Sequence, residues 1–547
     1  MAVVKESTLA QFDQLNVLII DGDLQVHDIL KKSLYRLGVK EVHCAENTYK
    51  ALKICDEMHF HIIVCAFDVK SDKDGFHLFE ELKFKGHITK ATIVIFLSAE
   101  IAQSLVNSII ELQPDDFWVK PLDVQKVQTR LKSVLKVKQM LLNVCGAVDK
   151  KAHAQAIYFA DRHLMNDKLA SFHPNINRIK GEAYIQLKEY QEAESLYKQL
   201  LKQYQYSWVY LGYAKVLLKQ GRVEEINFML KTLTNRSETR FGAYDMMAQH
   251  YIEHDQYQQA YEQIKKATIL APKNIERNKK LWHLARLTHD HKGQYMASRI
   301  IAQQAKNSIY DSPEFLLNAI RSGIDFSCTI PDDGAQTVLK QTDLYIEQFE
   351  SDYDGIQEFE QQLLVVKARL HNVRNEEAEA AKLVKHHITF QPTDIIEDNL
   401  DKVKVLHEVG MGKDAIDLLK AINGQFFGDT LSCQVIKRYI EQETQERAEI
   451  KHTAKQLNTM AVEHFQKNRL LPALDAIMQA LQLSPGNNKL MISQLKILIT
   501  IRQQEAATSE HIVLVEDLFS HFARTTSEGK IPTVLKELTL KWQKLCA

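Results

Sequence analysis

Glycine and proline are scarce in this chain, 19 and 10 among 547 residues. Both interrupt helices, so a long chain poor in them is expected to be mostly helical, and its length calls for about two to four domains. An excess of one charge is missing as well: lysine and arginine number 69, aspartate and glutamate 70. No block of like charge runs along the sequence, which removes nucleic acid as the default partner and argues against an anionic membrane surface. No apolar run approaches the ~20 residues that span a bilayer, and the opening MAVVKESTLAQFDQ lacks the basic-then-apolar order of a secretory signal. A cytoplasmic protein without membrane insertion is expected. The seven cysteines (Cys44, Cys55, Cys65, Cys145, Cys328, Cys433 and Cys546) are scattered, odd in number and never spaced as CxxC. That argues against a disulfide framework and a zinc site, and reduced, mostly buried thiols are expected. The pairs His59/His61, His289/His291 and His386/His387 have no acidic or cysteine partner at metal-ligand spacing and are expected on the surface. No GxxxxGK[ST], GxGxxG or GxSxG stretch occurs, so neither an enzyme nor a cofactor is expected.

What is present falls into two patterns. From about Asn16 to Leu135 short apolar runs alternate with amphipathic stretches, which predicts a parallel sheet flanked by helices. Strands are predicted at Val17–Asp21, Glu41–His43, His61–Ala66, Thr92–Leu97 and Asp116–Val119, with helices such as Val26–Leu37 and Phe76–Phe84 between them. In such sheets the working residues gather at the carboxyl ends of the strands. After about Val124 the β signal disappears. Val127, Leu131, Val134, Leu135, Val137 and Leu141 recur without a breaker, so the last helix of the first domain is expected to run straight into an all-helical body.

That body is internally periodic. Ala248, Ala260, Ala267 and Pro272 are separated by 12, 7 and 5 residues, and Ala461, Ala473, Ala480 and Pro485 repeat those intervals. Small residues at such places let two antiparallel helices approach closely, Tyr251, Tyr257 and Tyr261 fill the space around them, and the proline ends the second helix. Partial copies read Gly181, Tyr184, Tyr190, Ala193 and Tyr197, then Trp208, Leu211 and Gly212, then Trp282, Leu284, Ala285, Tyr295 and Ala297. Together these resemble tetratricopeptide (TPR) repeats, whose hairpins stack into a superhelix with a groove for peptide or protein. Segments 359–385 and 402–421 look like further hairpins that have lost the signature, and TIPDDGAQTVLKQ at Thr329–Gln341 reads either as a break between repeat blocks or as a long inter-helix loop. The expected domains are residues 1–137, 138–325 and 326–547.

The first domain resembles the phosphoreceiver domain of bacterial response regulators over its whole length, a five-stranded flavodoxin-like fold. Asp21-Gly22-Asp23 stands where receivers carry two adjacent acids that help hold Mg²⁺. Lys73-Asp74-Gly75 resembles the loop that closes with an aspartate and a glycine, Ser98 matches the hydroxyl that senses phosphate, and Lys120, before Pro121, matches the lysine that pairs with it, commonly followed by a cis proline. Phe117 matches the aromatic position that reorients on activation. Phosphoryl transfer to such a domain needs a carboxylate nucleophile, a divalent cation, and a lysine and hydroxyl on the transferred oxygens. The register of the resemblance puts Ala66 at the nucleophile's place, and Gly22 removes a metal ligand; at most a weak Mg²⁺ site at Asp21 and Asp23 remains. Asp68, two residues on, is the alternative acceptor. With no phosphate arriving, Lys120 is expected to pair with Asp21.

The resemblances imply a phosphorylation-independent signalling adaptor. A degenerate receiver would bind a sensor histidine kinase or a partner response regulator, while the repeats engage a second protein. In build the chain is similar to auxiliary regulators of the VieB type, whose partner regulator carries a cyclic-di-GMP phosphodiesterase domain. Alternatives are a working response regulator phosphorylated at Asp68, or a repeat scaffold for assembly. Receivers pair through the face of their fourth and fifth strand-helix units, which implies a homodimer.

Overall fold

A computed structural model describes residues 12–547 apart from 70, 72, 237–238, 331, 354, 424–430, 449, 451, 505–506, 526–532 and 547. The apolar runs form five parallel strands, β1 (Asn16–Ile20), β2 (Glu41–Ala45), β3 (Ile62–Ala66), β4 (Ile93–Ser98) and β5 (Asp116–Val119), in the order β2-β1-β3-β4-β5. Helices α1 (Leu24–Arg36), α2 (Thr48–Glu57), α3 (Gly75–Phe84), α4 (Gln103–Leu112) and α5 (Val124–Asp149) connect and flank them. In β3 and β4 every residue is buried, because a central parallel strand is covered on both faces and carries no polar alternation. Asp23, Asn47, Asp74 and Asp123 cap α1, α2, α3 and α5 with side-chain oxygens, each satisfying an orphan helix N–H. The flavodoxin-like receiver fold expected from the sequence is present.

Helix α5 is long because nothing in it breaks a helix. Its first half buries Val127, Leu131 and Leu135 against the sheet. Its second half buries Leu141, Val144 and Cys145 against α6 (His153–Leu164), where Ala156 and Ala160 allow close approach. One helix therefore serves two cores.

The rest is helical: α7 (His173–Gln186), α8 (Tyr190–Gln203), α9 (Ser207–Lys219), α10 (Val223–Asn235), α11 (Arg240–Glu253), α12 (Tyr257–Leu270), α13 (Ile275–Leu287) and α14 (His291–Ala305). There follow α15 (Pro313–Ser327), α16 (Asp332–Asp352), α17 (Glu360–Val373), α18 (Glu377–His387), α19 (Ile396–Glu408) and α20 (Gly412–Asn423). Last come α21 (Leu431–Ala448), α22 (Ala454–Gln466), α23 (Leu470–Leu483), α24 (Asn488–Gln503), α25 (Ser509–Thr525) and α26 (Thr533–Cys546). The chain divides into two compact units, Met1–Arg277 with Gln304–Asp311, and Asn278–Gln303 with Ser312–Ala547.

Eight hairpins in this series turn in the same way. Lys151, Lys188, Gly221, Asp255, His289, Asn375, Gly410 and Asn468 all have φ between 54° and 84° and stand between two paired helices. At each, the N–H of the following residue donates to the carbonyl five residues back, as Glu189 does to Tyr184 and Gln256 to Tyr251, closing the first helix of the pair. From Lys188 the positions 221, 255 and 289 follow at intervals of 33, 34 and 34 residues, so the body is built of helical repeats. The segments predicted as worn hairpins are α17 with α18 and α19 with α20.

The signature residues lie at the helix contacts. Ala248, Ala260 and Ala267 are fully buried between α11 and α12, and Ala461, Ala473 and Ala480 hold the same places between α22 and α23. Pro272 and Pro485 sit in the turn two residues after the second helix ends. Gly181 and Gly212 have one cause, the buried ring of Tyr197: a Cβ on either would come within 2.5 Å of it. Ala193 is fully buried on the helix that carries that ring, while Tyr184, Tyr251 and Trp208 are half-buried around the contacts.

Three expectations are corrected. Thr329–Gln341 is neither a break nor a long loop, because α16 begins at Asp332. Of the cysteines whose side chains are described, Cys55, Cys65 and Cys145 are buried, Cys44 and Cys433 half-buried and Cys328 exposed; the Cys546 side chain lies outside the described residues. His289 and His291 are not free surface residues: His291 Nε2 lies 3.0 Å from the Pro485 carbonyl and His289 Nε2 lies 2.7 Å from the Gln442 amide.

Candidate functional site

The strand order sets β1 beside β3, and their carboxyl ends open on a small polar mouth. Asp21 follows β1 and is 1% exposed. Its Oδ1 accepts the Asp23 N–H at 3.0 Å, and its Oδ2 lies 2.6 Å from Lys120 Nζ. Lys120 reaches it from the end of β5, where its own N–H donates to the Ser98 carbonyl and the peptide to Pro121 is cis. The lysine–aspartate pairing and the cis proline match the expectation.

At the facing end of β3, Ala66 is 1% exposed and closes the strand with a methyl group. The backbone is crowded here: a Cβ on Gly75 would lie 2.0 Å from the Ala66 oxygen, so only glycine lets α3 start this close. Ser98 is turned onto its own loop, donating to the Glu100 carbonyl at 2.9 Å and accepting the Glu100 N–H at 3.0 Å. Asp23 is spent capping α1 through the Gln25 N–H. Phe117, in register with Phe96 on β4, is half-buried against the core. Asp68 is exposed and lies past the end of β3, beyond the bend at Phe67.

A divalent cation does not fit this donor set. One Asp21 oxygen accepts a backbone N–H and the other faces an ammonium, while Asp23 serves a helix and Gly22 and Ala66 supply no oxygen donor from a side chain. Among the described residues no group of three or more acids, histidines or cysteines could hold a metal ion. The arrangement is a neutralised pair.

A second set of polar contacts lies beside the mouth; of its members only Asp74 carried a signal in the sequence. Asp74 caps α3 by accepting the His77 N–H at 3.1 Å, and His77 Nδ1 lies 2.7 Å from the same oxygen. Its other oxygen meets Lys273 Nζ at 2.5 Å, and that ammonium also stands 5.0 Å from the centre of the Phe67 ring. Burial alone would raise the Asp74 carboxyl, but His77 and Lys273 hold it well below the usual carboxylate range. On α4, the buried Asn107 donates its amide to the Leu270 carbonyl at 3.1 Å, satisfying an orphan oxygen at the end of α12. Glu111 pairs with Arg277, which also grips Asp245 at 2.5 Å and the Ala271 carbonyl at 2.9 Å. The pairs Asp74–Lys273, Asn107–Leu270 and Glu111–Arg277 each span more than 150 residues, and on the helical side only Lys273, directly after Pro272 of the repeat signature, had a landmark nearby.

The helical body also contains a ladder of buried charges. Arg369, 2% exposed, donates to Asp325 at 2.9 Å, Asp401 at 2.7 Å and Glu408 at 2.7 Å, and Lys404 meets Asp325 at 2.5 Å. Beside it lies a cavity of about 10 Å³ lined by Trp282, Arg286, Arg321, Asp325, Asp401 and Tyr439 among others. That is room for about one water, and the charges balance, so the cavity suits no metabolite.

Comparison with known proteins agrees with the N-terminal geometry. Residues 17–132 match the family described as "Response regulator receiver domain". A probable chemotaxis protein CheY of Rhizobium etli is 24% identical over 122 residues, 22% of this chain and 93% of that protein. A probable transcriptional regulator ycf27 of Cyanophora paradoxa is 27% identical over 129 residues, 23% of this chain and half the length of that protein. The chemotaxis response regulator CheY4 of Vibrio cholerae superposes with a TM-score of 0.21 at 19% identity, over 22% of this chain and 98% of that structure. No described helix is long and apolar enough to cross a membrane. Five parallel strands in the order β2-β1-β3-β4-β5, the strand-end aspartate, serine and lysine, and the family match together make residues 17–132 a response regulator receiver domain, joined to a long body of helical repeats.

Proposed function

We propose that this chain is a two-component signalling adaptor that acts by binding proteins, without accepting phosphate and without catalysing a reaction. The observation that carries this is the neutralised mouth: Ala66 offers no nucleophile, and Lys120, which in a working receiver would meet the phosphoryl group, is 2.6 Å from Asp21. The fold of the receiver is intact around that loss, so what it retains is a surface. A histidine kinase or a partner response regulator is the natural ligand of such a surface.

The helical body supports the second half of the proposal. Turns spaced at 33 to 34 residues, and paired alanines at the helix contacts, are the marks of tetratricopeptide repeats, which bind peptide or protein. A pseudo-receiver on such a body has the build of VieB-type auxiliary regulators. On that analogy the partner regulator carries a cyclic-di-GMP phosphodiesterase domain, and binding modulates phosphotransfer between it and its kinase.

The test is a phosphotransfer assay of the full chain with its cognate kinase, in the parent and in Asp68→Ala. No label on the parent, with kinase or regulator retained on the immobilised chain, is the expected result. Label that disappears in Asp68→Ala sinks the adaptor proposal in favour of a working receiver. Retention of neither kinase nor regulator points to an assembly scaffold instead.

A further inference from the structure

The receiver surface made by α4 and the β3–α3 loop is already in use, by the chain itself. Asp74, Glu111 and Asn107 receive, in that order, the Lys273 ammonium, the Arg277 guanidinium and the Leu270 carbonyl. The three groups belong to one short stretch: the end of α12, the turn after it, and the first turn of α13.

The chemistry on the two sides is complementary. The receiver contributes two carboxylates, those of Asp74 and Glu111. The turn contributes two cations four residues apart, 273 and 277, on a backbone whose helix end also offers a bare carbonyl. Arg277 is 4% exposed and is fixed from behind by Asp245 and the Ala271 carbonyl, so it is presented to Glu111 in a set orientation. Asn107, 1% exposed, spends its amide on the Leu270 carbonyl, and its oxygen accepts from Gln103. Partly buried, charge-assisted contacts of this kind are individually stronger than exposed ion pairs and are specific in geometry.

We propose that this face of the receiver is a docking surface for a basic turn, filled in the resting chain by Leu270–Arg277, and that a partner gains the face by displacing that turn with cations of its own. The inference rests on the receiver being a binding module, and adds which surface is regulated and by what. Lys273 is the group whose release opens the site, because it touches both Asp74 and the ring of Phe67, the residue next to Ala66. Arg277 is held on its own side by Asp245 whether or not the face is occupied.

Amide hydrogen exchange on the full chain tests this without any kinase. Lys273→Glu places a carboxylate against Asp74 and should speed exchange about tenfold in α4 and in the β3–α3 loop, while β1 and β3 keep their protection; Lys273→Arg should leave exchange as in the parent. Equal protection of α4 in the parent and in Lys273→Glu overturns the proposal. So does a loss of protection spread evenly through β1 and β3, which would make Lys273 a residue of general stability. A chain that takes label on Asp68 and yet opens with Lys273→Glu would refute the adaptor reading alone, so the two failures are distinguishable.

Discussion

Lys120 Nζ and Asp21 Oδ2 stand 2.6 Å apart at the ends of β5 and β1, with the Asp21 side chain 2% exposed and the lysine 22%. A pair this dry gains little over a matched apolar pair, yet breaking one side leaves a buried charge without compensation. Lys120→Met is therefore expected to lower the stability of the receiver by about 3 kcal/mol, read as a shift of the urea midpoint at unchanged m-value. A shift within error would mean that the pair is solvated and the mouth open.

Glu80 gives the first unit a titration near neutrality. Burial raises its carboxyl from 4.5 to about 7, against the pull of His77 and Lys83 and with the push of Asp74 and Glu111. A raised acid favours the folded state while protonated, so its contribution is complete below pH 4.5 and lost as pH rises through about 7. Glu80→Gln should remove this slope and leave the unit more stable than the parent at pH 8, by thermal melts between pH 4.5 and 8. Parallel melting curves for the two proteins would contradict it.

Gly212 faces the buried ring of Tyr197 so closely that a Cβ would lie 2.3 Å from Cζ. Gly212→Ala should overpack the contact and cost about 1 to 3 kcal/mol. Adding Tyr197→Leu should return part of the loss, because the ring that the methyl meets is then gone. If the double variant is weaker than the sum of the two singles, the glycine has another cause.

Arg369 compensates three carboxylates at once, on Asp325, Asp401 and Glu408. Arg369→Met is expected to destabilise the second unit by about 3 to 5 kcal/mol, the range found when one partner of a buried pair is removed, and to leave the receiver's melting unchanged. Calorimetry of the full chain, resolving the two units, reads both outcomes.

Much of the receiver was legible in the sequence because its signals are local. Continuous apolar runs gave β1, β3 and β4, and strand-end polar residues gave the mouth, down to the pairing of Lys120 with Asp21. The repeats were legible where small residues are forced by close helices, as at Ala260 and Ala473. They faded in α17 with α18 and in α19 with α20, which make the same left-handed turn at Asn375 and Gly410, but where His387 and Ile422 stand at the place of the signature's third alanine. TIPDDGAQTVLKQ misled for a different reason: aspartates and a glycine read as a loop, yet Asp332 and Asp333 stand in the first turn of α16, where acidic residues are favoured. Lys273, Arg277 and Asn107 were beyond reach because their partners are distant in sequence and each pair, taken alone, looks like ordinary surface polarity.

Helix α5 crosses from the sheet to the first hairpin without a break, braced by Lys138 on Asp115 and by Asp149 on the Lys90 N–H. The receiver is thus mounted like a door, with α5 as its hinge post and the turn at Lys273 as its bolt. If a partner draws that bolt, the post stays, so the receiver remains tied to the first hairpin through α5.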